Sequence, residues 1–164
     1  MQYEIENVVN ELSRELLKHG LMLVTAESCT AGWISKVMTD PAGSSGWFER
    51  GFVTYSNESK MEMLGVSEQT LQQYGAVSIE TVQEMVTGAL DRSSADVAVA
   101  VSGIAGPTGG SDDKPVGLVW FGWQGRDDLF HGESVVFDGN RNEIREQTVL
   151  YALEKVLQNI KLVR

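Results

Sequence analysis

The sequence predicts an α/β fold, a three-layer α/β/α sandwich around a mixed, mostly parallel central sheet. Three observations lead to this prediction. Helical and strand patterns alternate along the chain. Two predicted strands, 21–26 and 97–101, are apolar on both faces, which is typical of a sheet covered by helices on each side. The last two predicted strands, 117–123 and 129–137, are separated by a short turn and predict an antiparallel hairpin.

The helices are predicted from apolar spacing and from their end signals. Apolar residues recur at intervals of three and four positions from Ile5 to Leu16, and Gly20 ends this amphipathic helix. Ser67 and Ser78 are favourable N-cap residues, so we expect a helix to begin directly after each of them. The other predicted elements are a strand at 49–55 and helices at 30–39, 57–64 and 140–162.

Length and composition indicate one soluble globular unit. The chain has 164 residues, of which 42% are hydrophobic, and we interpret residues 1–164 as a single domain. The longest apolar runs have the length of a strand and fall far short of the roughly 20 residues of a membrane helix. The N-terminal segment lacks the basic and then apolar order of a signal peptide. We therefore expect a cytoplasmic protein with no membrane partner.

Charge and cysteine content exclude further classes of partner. The formal net charge of −10 repels phosphate backbones and argues against a nucleic-acid partner, although one or two arginines can still hold a small anionic substrate. Cys29 is the only cysteine, so no internal disulfide is possible. His19 and His131 match no metal-binding motif, and we expect no metal.

Polar residues follow three of the predicted strands, at the strand ends where ligands bind in open α/β sheets. Ser28 follows the first, beside the amides of a predicted helix start, where an oxyanion is favoured. Tyr55 closes the second, and Lys60 lies about one helical turn further on. The glycine-rich segment 102–111 follows the third and lets the backbone approach a ligand closely.

Each of these signals also has a simpler structural interpretation. Ser28 or Thr30 can serve only as an N-cap, and the glycine-rich segment can be a surface turn. Lys60 can be a solvated helix residue, whereas a lysine partly withdrawn from water can lose its proton near neutral pH and act as a general base. Arg141 and Arg145 can each hold a phosphate at the start of the last helix or pair with the acidic surface.

Taken together, five blocks of the sequence resemble the C-terminal domain of CinA. The resemblance covers about residues 8 to 155. The blocks are TAESCTAGW (25–33), DPAGSSGWFERGFVTYSNESKMEMLGV (40–66), YGAVS (74–78), SGIAGPTGGSDDKPVGLVW (102–120) and the pattern of Gly139, Arg141 and Arg145. Stand-alone members of this family are nicotinamide mononucleotide deamidases. The family fold is a three-layer α/β/α sandwich with a mixed sheet, and its members are commonly dimers, so we expect a homodimer.

The resemblance implies hydrolysis of the carboxamide of nicotinamide mononucleotide to nicotinate mononucleotide and ammonia, in pyridine-nucleotide salvage. It also implies a Ser/Lys dyad. The expected catalytic residues are Ser28, Lys60 and Tyr55, and the expected substrate-binding residues are Glu27, Thr30, Ser45, Ser102, Gly103, Gly106 and Arg141. Position 102 is Ser where many relatives have Thr, which preserves the hydroxyl.

Amide hydrolysis accounts for these residue types. Ser28 attacks, and neutral Lys60 takes its proton and passes it to the leaving nitrogen. Amides near Cys29 and Thr30, or a hydroxyl of Ser45 or Tyr55, hold the oxyanion. Two further substrate contacts are expected, Glu27 beside the positive pyridinium and Arg141 at the 5′-phosphate. No metal or organic cofactor is required.

Two other functions are compatible with the same residues. The first is a non-catalytic nucleotide-binding or regulatory copy of the domain, which an ammonia-release assay distinguishes from an enzyme. The second is a cysteine amidase that uses Cys29, which thiol alkylation would inactivate.

Overall fold

A computed structural model describes residues 1–163 and has one five-stranded mixed sheet. The strands are β1 (Leu23–Glu27), β2 (Phe48–Val53), β3 (Val97–Gly103), β4 (Leu118–Gly125) and β5 (His131–Val136). Their spatial order is β2-β1-β3-β4-β5. The pairs β1–β2 and β1–β3 are parallel and the pairs β3–β4 and β4–β5 are antiparallel, so only β4 runs against the other strands. The predicted mixed sheet and the predicted hairpin are confirmed.

Six α-helices accompany the sheet in the described part of the chain, and most of them begin and end where the sequence predicts. They are α1 (Gln2–His19), α2 (Trp33–Met38), α3 (Asn57–Leu64), α4 (Glu68–Tyr74), α5 (Ile79–Asp91) and α6 (Arg141–Val163). Gly20 ends α1 in the left-handed conformation, with φ of 63°. The side chains of Ser67 and Ser78 cap α4 and α5 as expected.

Helix α2 is shorter than the predicted helix over 30–39, because its first residue is Trp33. Ala31 and Gly32 have φ values of 49° and 97°, and this left-handed backbone forms a turn that an α-helix does not accommodate. Thr30 therefore belongs to the turn that connects β1 to α2.

The helices cover the sheet in two layers. Helices α1, α2 and α6 pack on one face, and α3, α4 and α5 pack on the other. Side chains alternate along β3 between the two layers. Val97, Val99 and Val101 enter the core under α1, α2 and α6, while Ala98 and Ala100 face α5. This arrangement is the predicted three-layer sandwich.

The parallel strands β1, β2 and β3 end at the same edge of the sheet. The residues that follow them, Ser28, Thr54 and the segment beyond Gly103, are therefore brought together from distant parts of the sequence. Across residues 1–163, the helices are all too short or too polar to cross a membrane.

Candidate active site

Ser28 and Lys60 are in direct contact at this edge of the sheet. Lys60 Nζ lies 2.9 Å from Ser28 Oγ. Ser28 directly follows β1, and Lys60 lies in the first turn of α3, which begins after the N-cap Ser56. Helical side chains lean towards the helix N-terminus, so Lys60 reaches back to the ends of β1 and β2. The structure therefore brings together the two residues that the sequence predicts as a dyad.

Lys60 is buried among neutral hydrogen-bond acceptors. Its side chain is 1% exposed, and Nζ also donates to the carbonyl oxygens of Thr54, at 2.9 Å, and Tyr55, at 3.1 Å. Within residues 1–163, no carboxylate forms an ion pair with it. Burial lowers the pKa of Lys60 from 10.5 to about 8. The neutral form of the Lys60 amine is therefore populated close to neutral pH.

The two carbonyl oxygens also orient the amine. A carbonyl oxygen only accepts hydrogen bonds, so the carbonyls of Thr54 and Tyr55 each take one N–H of neutral Lys60. An uncharged amine has two N–H bonds and one lone pair. In this neutral form the lone pair is directed at the third neighbour, Ser28 Oγ, which lies 2.9 Å from Nζ. This is the geometry that a general base for Ser28 needs.

Cys29 lies beside Ser28 but is unsuited to nucleophilic attack. Its side chain is buried, and burial raises the pKa of the thiol from 9.0 to about 11. The thiol is therefore protonated near neutral pH. This observation argues against the alternative of a cysteine amidase.

The side chains of Glu27 and Thr30 lie outside the cavity, which corrects the expectation that these two side chains bind substrate. Successive residues of a strand point to opposite faces, so Glu27 faces α2 while Ser28 faces α3. The Glu27 carboxylate is fully buried and accepts four hydrogen bonds. The donors are Thr30 Oγ1 at 2.6 Å, Ile34 N at 2.8 Å, Ser35 N at 2.9 Å and Ser35 Oγ at 2.7 Å. The first amides of α2 thus bind Glu27 and are not available to an oxyanion.

Ser45 is also separated from Ser28 in the folded chain. It lies in a short 3₁₀ helix, Ser44–Gly46, that precedes β2, whereas Tyr55 follows the other end of β2. Six residues of strand span about 20 Å. The expectation that Ser45 lines the same pocket as Ser28 therefore does not hold within one copy of the chain.

A cavity of about 290 Å³ opens above Ser28 and Lys60. Its lining includes the remaining predicted site residues, which are Tyr55, Ser102, Gly103, Gly106 and Arg141. Sequence reasoning assigned no role to several other lining residues, namely Asn57, Ala76, Val77, Ile104, Ala105, Thr108 and Gly109. All of these lie in blocks of the resemblance, Asn57 in the block 40–66 and the others in the YGAVS block and the glycine-rich segment, so the resemblance contained a signal for them.

The cavity is electropositive although the chain is strongly acidic. Its lining contains two cationic side chains, Lys60 and Arg141, and no carboxylate among the residues described. Arg141 is the first residue of α6 and is held in place by two contacts. Its Nη1 donates to Gly106 O at 2.8 Å, and its Nη2 donates to Tyr55 Oη at 3.3 Å. This arrangement fits a small anionic ligand.

Arg145 lies one helical turn after Arg141 but does not line the cavity. Its Nε donates to Cys29 O at 2.9 Å and its Nη2 to Thr30 O at 3.4 Å. Its guanidinium also lies over the ring of Trp33, 5.8 Å from the centroid. Of the two arginines that the sequence proposes for a phosphate, only Arg141 faces the cavity. Sequence reasoning missed the contacts of Arg145 with the turn after Ser28.

The described chain, residues 1–163, contains no group of three or more His, Cys, Asp or Glu side chains arranged to hold a metal ion. A buried serine–lysine pair at the carboxyl edge of a three-layer α/β/α sheet is the arrangement of a candidate enzyme active site.

The chain belongs to the CinA C-terminal domain family, whose model matches residues 5–160. The nicotinamide-nucleotide amidohydrolase PncC of Escherichia coli strain K12 is 50% identical over 159 residues, which cover 94% of each chain. The protein of the same name from Enterobacter agglomerans is 53% identical over 148 residues and 90% of each chain. The crystal structure of the competence/damage inducible protein CihA from Agrobacterium tumefaciens has a TM-score of 0.92 and 47% identity over 94% of each chain.

Proposed function

We propose that this protein is a nicotinamide-nucleotide amidohydrolase that converts nicotinamide mononucleotide to nicotinate mononucleotide and ammonia. In this proposal Ser28 is the nucleophile and Lys60 the general base, and the reaction serves pyridine-nucleotide salvage. The observation that carries the proposal is the 2.9 Å contact between Ser28 Oγ and the buried amine of Lys60. The identity to curated amidohydrolases over nearly the whole chain supports the same substrate class.

The first half of the reaction is the acylation of Ser28. Ser28 Oγ forms a bond to the carboxamide carbon as its proton passes to Lys60 Nζ, and the carbonyl oxygen becomes an oxyanion. The C–N bond then breaks, and the departing nitrogen takes the proton from Lys60 and leaves as ammonia. The product of this half-reaction is an ester of Ser28, with Lys60 neutral again.

The second half is the hydrolysis of that ester. Lys60 takes a proton from water, and the hydroxide attacks the acyl carbon. The bond to Ser28 Oγ breaks, and Lys60 returns the proton to it. Lys60 is thus neutral before each attack, which explains why a lysine of lowered pKa is needed at this position.

The rest of the cavity suits the other parts of the substrate. The guanidinium of Arg141 is proposed to bind the 5′-phosphate, since it is the cation at the cavity rim. Tyr55 Oη accepts a hydrogen bond from Arg141, so it keeps its own proton for a hydrogen bond to substrate. Glu27 is hydrogen-bonded to α2 and does not reach the substrate. The ring of Tyr55, which lines the cavity, is proposed to lie beside the positive pyridinium as a cation–π partner instead.

The proposal further treats residues 1–164 as one catalytic domain that acts in the cytoplasm as a homodimer, without a nucleic-acid partner. Dimerisation is checked by light scattering of the purified protein during size-exclusion chromatography. A monomer at catalytic concentrations would remove this part of the proposal and leave the chemistry unaffected.

An ammonia-release assay tests the proposed function. The substrates are nicotinamide mononucleotide, nicotinamide riboside and nicotinamide, which differ in phosphate and ribose. We expect ammonia release from nicotinamide mononucleotide at a kcat/KM well above the values for the other two. A properly folded wild type that releases no ammonia would contradict the proposal and support the non-catalytic nucleotide-binding copy instead.

A further inference from the structure

The two arginines at the start of α6 lie on opposite sides of the turn that follows Ser28. Arg141 lines the cavity, whereas Arg145 lies with Thr30, Gly32 and Trp33 in a separate depression on the outer side of the turn. We propose that Arg145 is a positioning residue that aims the Thr30 amide into the cavity, where this amide binds the oxyanion. The inference rests on the proposed amidohydrolase function, and it gives a residue outside the cavity a positioning role in that reaction.

The geometry of one peptide unit carries the argument. The carbonyl of Cys29 and the N–H of Thr30 belong to the same planar trans peptide, in which C=O and N–H point in opposite directions. Arg145 Nε holds Cys29 O at 2.9 Å on the outer side of the turn. The Thr30 N–H therefore points towards the other side, where Ser28 and Cys29 line the cavity.

Two neighbouring amides are already used within the described part of the chain. Ser28 N donates to Val101 O at 3.1 Å, and Ala31 N donates to Ser28 O at 3.1 Å. Within residues 1–163, the amides of Cys29 and Thr30 have no main-chain acceptor, so these two turn donors are left for substrate. The Thr30 amide is the one whose peptide Arg145 holds.

Other contacts fix the turn around this peptide. Thr30 Oγ1 donates to the buried Glu27 carboxylate at 2.6 Å, which anchors the side chain on the α2 side. Arg145 Nη2 also reaches Thr30 O, at 3.4 Å. Without Arg145, the Cys29–Thr30 peptide loses the partner that sets its orientation. The positive charge of Arg145 also polarises this peptide and strengthens its N–H as a donor.

An oxyanion exists only in the tetrahedral states, so a group that acts through an oxyanion donor affects kcat and leaves ground-state binding unchanged. Removing an oxyanion donor itself costs about 10²–10³ in kcat. Arg145 orients such a donor without replacing it, and we therefore expect a smaller loss of about tenfold.

The test compares Arg145→Gln and Arg145→Lys with a matched control, Arg126→Gln. Arg126 likewise donates to main-chain carbonyls, those of Leu90, Ser93 and Ala95, but it lies away from the cavity. For each protein we measure kcat and KM for nicotinamide mononucleotide and the urea midpoint of unfolding. We also measure inhibition by pyridine-3-boronic acid, whose boron forms a tetrahedral anionic adduct with a serine hydroxyl.

We expect Arg145→Gln to lower kcat about tenfold with KM within about twofold, and to weaken boronic acid inhibition in parallel. Arg145→Lys should recover part of both losses, because an ammonium can still donate to Cys29 O. Arg126→Gln should lower the urea midpoint without changing the kinetics.

A rise in KM at constant kcat would overturn the inference and make Arg145 a substrate ligand. Unchanged kcat and boronic acid inhibition, with a lower urea midpoint, would overturn it by reducing Arg145 to a structural role. A wild type that releases no ammonia would instead refute the proposed function and, with it, this inference.

Discussion

Glu27 and Lys60 are two buried charged residues on opposite sides of the end of β1, and they are bonded very differently. Glu27 accepts four hydrogen bonds, two of them from main-chain amides of α2. Lys60 has three neutral partners, and no carboxylate pairs with it within residues 1–163. Burial alone therefore does not distinguish a structural charge from a reactive one.

The difference lies in the hydrogen-bond partners of each group. Amide and hydroxyl donors occupy the carboxylate of Glu27 and fix α2 against β1. The carbonyls around Lys60 accept hydrogen bonds from its charged and neutral forms alike, so burial dominates and lowers its pKa to about 8. Under the proposal, Glu27 stabilises the fold on one side of the end of β1, and Lys60 takes part in the reaction on the other.

The largest expected effect is that of Ser28→Ala on the reactive side. This change removes the nucleophile and should lower kcat by about 10³-fold or more, leaving only binding and oxyanion stabilisation. The matched control is Cys29→Ala, which removes the buried thiol beside it and should keep most of the activity. Ammonia release under saturating substrate measures both. Comparable losses in the two variants would contradict the assignment of Ser28.

Lys60→Arg should be nearly as inactive as Lys60→Ala. Arginine keeps the positive charge, but a guanidinium with a pKa above about 12 cannot give up its proton and cannot act as the base. Lys36→Arg is the control, because Lys36 of α2 is exposed and pairs with Asp40, outside the cavity. Circular dichroism verifies folding, and ammonia release gives kcat. Substantial activity in Lys60→Arg would make Lys60 a binding residue.

Arg141→Ala tests the electropositive rim of the cavity. Losing one charge-assisted contact of about 1.5–3 kcal/mol should raise KM for nicotinamide mononucleotide roughly 10- to 150-fold, with a smaller effect on kcat. Nicotinamide riboside lacks the phosphate and serves as the internal control, since its KM should change little. An equal rise in KM for both substrates would show that Arg141 does not act through the phosphate.

Glu27→Gln is the matching change on the structural side, and its effect on activity should be the smallest. The amide nitrogen of glutamine cannot accept the hydrogen bonds that α2 donates, so we expect a loss on the order of 3 kcal/mol in the free energy of unfolding. Glu49→Gln is the control, because within residues 1–163 the half-buried Glu49 carboxylate pairs with its sequence neighbour Arg50 and with no other group. Urea unfolding measures both. If Glu27→Gln raised KM strongly with unchanged stability, Glu27 would be a substrate ligand after all.

Local sequence patterns predicted the elements that carry the site better than they predicted the site itself. The caps Ser67 and Ser78 and the continuous apolar run of β3 act over a few residues, so sequence reasoning placed them correctly. Ser28 and Lys60 lie 32 positions apart, and only the resemblance paired them, because their contact depends on how α3 packs beside β1.

The errors at the site have equally physical causes. Strand alternation through Ala26, Glu27 and Ser28 places Glu27 on the α2 face, whereas the predicted strand ended at residue 26 and Glu27 was assigned from its charge alone. The predicted start of α2, at residue 30, was wrong because Ala31 adopts a positive φ that is uncommon for a residue other than glycine. The contacts of Arg145 with Cys29 and Thr30 join residues more than a hundred positions apart, and no local pattern encodes them.

The pH dependence of kcat/KM for nicotinamide mononucleotide tests the central claim most directly. A general base must be unprotonated, so a Lys60 with its pKa lowered to about 8 predicts that kcat/KM rises with pH up to that value and levels off above it. Below about pH 7.5 the slope should approach tenfold per pH unit. The raised pKa of Cys29, about 11, keeps the thiol from titrating in this range. A kcat/KM that stays constant or falls with pH between about 6.5 and 9 would contradict Lys60 as the base.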